Sequence, residues 1–226
     1  MNGKVIKISN SIAKRRVYVE LFFFIFFCVG FAGTVNPASH DLFLRLFPAA
    51  LLLSFFAIFL FHEQQVIFND IAVFSLIAVT GFVVEVAGVS THRVFGNYEY
   101  GNTLGIKLFD TPLLIGLNWL MLSYAAATIT EKTSFSPPLK IFIASLLMLA
   151  YDAVLEQVAP LIDMWHWEDG IIPFQNYAAW FVIALVFQIF LALTGIRPKN
   201  SIAWKIVLVQ LLFFIALLMF YKLGVS

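Results

Sequence analysis

Residues 42–61 read LFLRLFPAALLLSFFAIFLF, an unbroken apolar run whose one charge is Arg45. At 1.5 Å per residue, about 20 residues of α-helix cover the roughly 30 Å of a bilayer's hydrocarbon core. The run shows no period-two alternation, so it reads as a helix that satisfies its own backbone and not as a barrel strand. Working outward, comparable runs fall near residues 17–35, 67–89, 112–130, 139–159, 174–195 and 203–221. The expected fold is an all-α integral membrane protein, a bundle of about seven transmembrane helices forming one domain over residues 1–226.

The composition agrees with that reading. The chain is 62% hydrophobic and 12% charged with mean hydropathy +0.93, too apolar for an ordinary soluble domain. A net charge of +1 gives no reason to expect nucleic acid as a partner. The lone cysteine, Cys28, lies inside the first run and excludes an intrachain disulfide. Most of the rings that make the chain 17% aromatic are expected to face lipid or to form interfacial belts.

Charge sets the expected orientation. Lys4, Lys7, Lys14, Arg15 and Arg16 in the tail, Lys132 and Lys140 before the fifth helix, and Arg197, Lys199 and Lys205 before the seventh all fall on one side. Arg45, Arg93, Lys107 and Lys222 fall on the other, so residues 1–16 read as a basic cytoplasmic tail of a multi-pass protein of the cell (inner or plasma) membrane. The loop around residues 62–70, HEQQVIFND, should be cytoplasmic yet carries no Lys or Arg. The first run has no convincing cleavage site and reads as a retained signal-anchor. Prolines fall mostly at the expected helix ends.

Between the third and fourth runs stands residues 85–119, EVAGVSTHRVFGNYEYGNTLGIKLFDTPLLIGLNW, polar, aromatic and punctuated by Gly88, Gly96, Gly101 and Gly105. With seven alternating spans, Glu85, Asn118, Asp152, Glu156 and Asn176 all lie within a few turns of one membrane face, and Asp152 and Glu156 share a helical face at i, i+4. Acids inside membrane helices are costly and by default face a cavity or a partner. The bland alternatives are hydrated interfacial carboxylates for Glu85 and Glu156, interhelical hydrogen bonds for Asn118 and Asn176, and interfacial anchors for Trp165 and Trp167. Rings flanking carboxylates also stabilise a cation through their faces. No His-x-x-His or His-x-x-x-His pair exists, so no metal site is expected. Dinucleotide, phosphate-loop, serine-elbow and Asp-rich diphosphate motifs are absent, and residues 206–221 hold no lysine for a retinal.

The run from Glu85 through FGNYEYGNTLGIKLFDTPLLIGLNW, then YDAVLEQVAP, WHW and PFQNYAAWF, resembles the membrane-bound carotenoid hydratases of the CruF type, which include bisanhydrobacterioruberin hydratase and the carotenoid C-1' hydratases. The resemblance covers residues 81–181, the expected catalytic core; the first two helices and the last match in hydropathy only. Glu85, Phe95, Gly96, Tyr98, Tyr100, Leu104 and Gly105 meet the family's loop pattern, Pro112 and Trp119 the following segment, Asp152 its fifth-helix aspartate, and Trp165, Trp167, Asn176 and Trp180 its final motif. Where the family usually shows a second Asp followed by Pro, this chain has Glu156 and Gln157.

The resemblance implies addition of water to the terminal C1',C2' double bond of an acyclic carotenoid end group, giving a tertiary alcohol. The expected catalytic residues are Asp152 as proton donor, with Glu85 or Glu156 handling water. Tyr98, Tyr100, Asn118, Trp119, Trp165, Trp167, Asn176 and Trp180 are the expected substrate-binding residues. Neither cofactor nor metal is expected. Partners would be the carotenoid within the bilayer, water, membrane lipids and other enzymes of the pathway. Two other classes compete: a transporter or proton-linked carrier, which needs a wet route from both faces, and a non-catalytic carotenoid-binding protein, which would tolerate loss of the acids.

Overall fold

The computed structural model describes residues 16–64 and 68–224. The expected basic tail therefore lies outside the described residues except for Arg16, which opens the first helix. Seven long helices follow among the described residues: α1 Arg16–Val35, α2 His40–Leu60, α3 Phe68–Thr91, α4 Leu114–Thr130, α5 Pro137–Val158, α6 Phe174–Leu193 and α7 Ala203–Lys222. They coincide with the seven apolar runs to within a few residues. Six are long and apolar enough to cross a membrane, and the fold is an all-α membrane bundle.

The seventh, α4, is different in kind. Its 17 residues make it the shortest of the set. Trp119 through Thr128 are all buried, so no side of it is left for lipid. A helix apolar all round belongs in the middle of a bundle. It packs between α3 and α5 and also touches α2, α6 and α7. The outer helices instead expose apolar side chains such as Phe24, Phe56, Val79 and Val186, as lipid contact requires.

Local chemistry sets the helix ends. Ser39 Oγ donates to the Gly33 carbonyl at 2.9 Å and His40 Nδ1 lies 2.6 Å from the Thr34 carbonyl, which satisfies the last turn of α1 as the chain reverses into α2. Pro137 opens α5 and Pro173 caps α6. Pro48 is the exception, lying inside α2. At the end of the bundle where α2 stops and α7 starts, Asn200 Nδ2 donates to the Ile58 carbonyl at 2.7 Å, and His62 Nδ1 shares a 2.6 Å hydrogen bond with the Tyr124 hydroxyl.

Successive helices alternate in direction, so the large loops 92–113 and 159–173 share one end of the bundle, where they pair. There the chain adds something the apolar runs do not announce. Strand β1, Tyr98–Tyr100, pairs antiparallel with β4, Trp165–Trp167, in the register Tyr98 with Trp167, Glu99 with His166 and Tyr100 with Trp165. A smaller hairpin of β2, Lys107–Leu108, and β3, Thr111–Pro112, leads into α4. Side chains alternate along a strand, so YEY and WHW each send two rings inward and one polar residue outward. Tyr98, Tyr100, Trp165 and Trp167 are all buried.

Candidate active site

The ribbon's inner face lies over the acids. Glu85, six residues before the end of α3, is buried and accepts three hydrogen bonds: Tyr98 Oη at 2.8 Å and Tyr100 Oη at 2.7 Å to one oxygen, and Trp119 Nε1 at 2.9 Å to the other. Glu156, on the last turn of α5, is held by a parallel set: Trp167 Nε1 at 2.6 Å and Trp165 Nε1 at 3.0 Å to one oxygen, and Asn176 Nδ2 at 2.8 Å to the other. One strand of the ribbon thus serves one glutamate and its partner strand the other. Each carboxylate offers about four lone-pair positions, so three are taken and roughly one is left.

Asp152, one turn before Glu156, is the contrast. It is 0% exposed, and neither of its oxygens has a hydrogen-bond partner among the described residues. The amide of Asn176 is close enough to act on both Asp152 and Glu156, but its hydrogen bond goes to Glu156. A buried polar group without a partner is expensive, and native structures keep few of them. Three acids therefore converge with different assignments: two are fixed in place by aromatic and amide donors, and the third keeps its carboxyl uncommitted.

Sequence and packing explain how the donors reach their targets. Gly81 sits one helical turn from Glu85, and a Cβ there would come within 2.8 Å of Trp119 Cβ, so the glycine lets the indole lie against α3. Trp180 of α6 stacks on that indole with centroids 3.8 Å apart and planes 20° apart. Gly96, at φ 121°, turns the chain into β1 where a Cβ would strike Pro173 at 2.6 Å. Tyr98 packs on Trp167 with centroids 5.1 Å apart, across the strand pair. Burial first, and Glu85 second, push both Tyr98 and Tyr100 above the ordinary phenol value, so both hydroxyls keep their protons and serve as donors.

Of the residues expected at the site, Glu85, Asp152, Glu156, Tyr98, Tyr100, Trp119, Trp165, Trp167, Asn176 and Trp180 come together. Asn118 does not join them. It is half-buried and lines a crevice of ≈10 Å³ with Tyr151, Leu155 and Trp165. Tyr151 and Leu155 flank Asp152 along α5, and Trp165 is a donor to Glu156, so the crevice shares walls with the site. It has room for about one water at most.

One residue that holds the site together went unmarked in the sequence. Asp163, at φ 53°, accepts from the Asn102 backbone N–H at 2.9 Å and sits 3.0 Å from His166 Nε2, while its carbonyl takes the Thr103 N–H at 3.1 Å. It clamps the two loops from which the ribbon is made. The hydrogen bond with His166, aided by those from Asn102, holds its carboxyl below the usual aspartate value. Its signal was an Asp two residues before WHW, since Asp tolerates left-handed backbone and caps a neighbouring turn.

The fold and the site define a helical membrane protein with a buried triad of acids under an aromatic ribbon. A family model described as carotenoid biosynthesis protein matches residues 46–226, four-fifths of the chain, and the chain belongs to that family. The match is wider than residues 81–181 and takes in most of α2 and all of α7. No curated protein and no solved structure matches the chain.

Proposed function

We propose that this protein hydrates the terminal C1',C2' double bond of an acyclic carotenoid end group. The observation that carries the reading is Asp152: a fully buried acid with an uncommitted carboxyl, near two glutamates whose positions are fixed by three donors each. Such an alkene has no activating group, so water adds only after a strong, well-placed acid protonates it.

Asp152 gives its proton to C2', the less substituted carbon, and positive charge develops at the tertiary C1'. Faces of Tyr98, Trp165 and Trp167 supply electron density beside it. A water held at the one free lone-pair position of Glu85 or Glu156 attacks C1', and its surplus proton returns to a carboxylate. The alkene and one water are consumed, one tertiary alcohol forms, and the acids end with the protons they started with. The aromatic and amide donors keep each glutamate from drifting onto the cation.

The test is expression in a strain that accumulates lycopene or γ-carotene, grown in water enriched in oxygen-18, with mass analysis of the pigments. Hydration predicts a pigment heavier by one water and carrying the label. Unchanged pigment with well-expressed protein contradicts the reading on those substrates, and pigment that co-purifies unchanged favours a binding protein instead.

A further inference from the structure

Away from the acids, α1, α2 and α7 enclose a second feature. A cleft of ≈210 Å³ runs between them, walled by Phe27, Phe43, Phe47 and Phe213, and its rim includes Val29 and Leu46, both about half exposed on the lipid side. Two polar side chains line it. Thr34 has its hydroxyl bonded to the Gly30 carbonyl at 2.8 Å. Gln210 is 1% exposed, and neither its amide nitrogen nor its amide oxygen has a hydrogen-bond partner among the described residues.

A primary amide unpaired at both ends, set in a phenylalanine-lined cleft, is a costly arrangement. It is complementary to an uncharged group that both donates and accepts a hydrogen bond. A hydroxyl accepts from the amide N–H and donates to the amide oxygen, whereas a hydrocarbon chain satisfies neither. The cleft also keeps space open. Gly30 lies mid-helix in α1, where glycine is unfavourable, yet a Cβ there would meet only Phe213, at an ordinary 3.6 Å. At its inner end Leu51 and Phe214 wall both this cleft and the crevice beside the acids.

We propose that this cleft is a binding site, open to the lipid, for an elongated apolar molecule that carries a hydroxyl group, with Gln210 as the group that recognises the hydroxyl. A tertiary alcohol of the type made by hydration belongs to that class. The inference rests on the cleft and Gln210 and holds whether or not the hydration reading does.

The test is equilibrium binding to the full-length protein in lipid nanodiscs, with geranylgeraniol compared against the hydrocarbon of the same skeleton that lacks the hydroxyl. Two hydrogen bonds in an apolar setting predict roughly tenfold tighter binding of the alcohol. Gln210→Met keeps the length of the side chain and removes the amide. It should fold at least as well as the parent, keep hydrocarbon binding and bring the ratio to about one. Gly30→Leu fills the cleft and should abolish binding of both. Equal affinity for alcohol and hydrocarbon in the parent, a ratio unchanged in Gln210→Met, or binding unaffected by Gly30→Leu would each overturn the proposal. None of these readouts involves catalysis.

Discussion

The three acids differ in what holds them, and that difference separates structural from chemical roles. Glu85→Gln presents an amide NH₂ to phenol and indole donors that have nowhere else to turn, and Glu156→Gln does the same to two indoles and Asn176. Each change should cost about 1–3 kcal/mol of stability, read as a lower unfolding midpoint in detergent. Asp152→Asn replaces one unbonded group by another of the same shape, so its unfolding midpoint should stay near that of the parent. Asp163 adds a pH dependence. Its folded value lies below the unfolded 3.8, so its contribution is complete above that value and is lost as pH falls through the lowered folded one. Exchange of the Asn102 amide should therefore stay protected down to about pH 3.8 and gain exposure below it, relative to helix amides.

At the scale of elements, close approach decides which positions tolerate change. Gly81→Ala drives a methyl into Trp119 and should shift the indole off Glu85, destabilising the fold by about 1–3 kcal/mol. Gly30→Ala meets only ordinary contact, and should leave the unfolding midpoint unchanged or raise it by an amount worth about 0.4–1 kcal/mol. The paired measurement separates a glycine required by packing from one that keeps a space. The seven helices were legible because each is a long apolar run bounded by polar residues or proline. The ribbon was not, because its strands are three residues long and 65 positions apart, and short pieces carry little periodic signal. YEY and WHW are both period-two patterns, and that alternation is what sends four rings to the acids. Helix geometry also places Asn118: its neighbour Trp119 points to Glu85, and one step of 100° round α4 turns Asn118 to the crevice.

For the whole molecule, alternation of the helices places the acids, the ribbon and both large loops at one end and Arg16, Lys132, Arg197 and Lys199 at the other. The positive-inside rule then proposes that the site faces away from the cytoplasm. With Cys28 replaced by serine, a cysteine at Phe109 should react with a membrane-impermeant thiol reagent in intact cells, and one at Ser134 only after lysis; the reverse pattern would invert the topology. That acids from α3 and α5 lie toward one end of the bundle was readable from helix count alone, since alternating spans fix which ends are shared. What each acid binds was not, because the donors come from four separate segments whose contacts depend on packing.

Asp152 as the acid of a hydration reaction is most directly tested by the pigment mass profile of lycopene-accumulating cells that express either the parent protein or Asp152→Asn at equal abundance. The account predicts pigment heavier by one water from the parent and only unhydrated precursor from the variant. As much tertiary alcohol from Asp152→Asn as from the parent would contradict it.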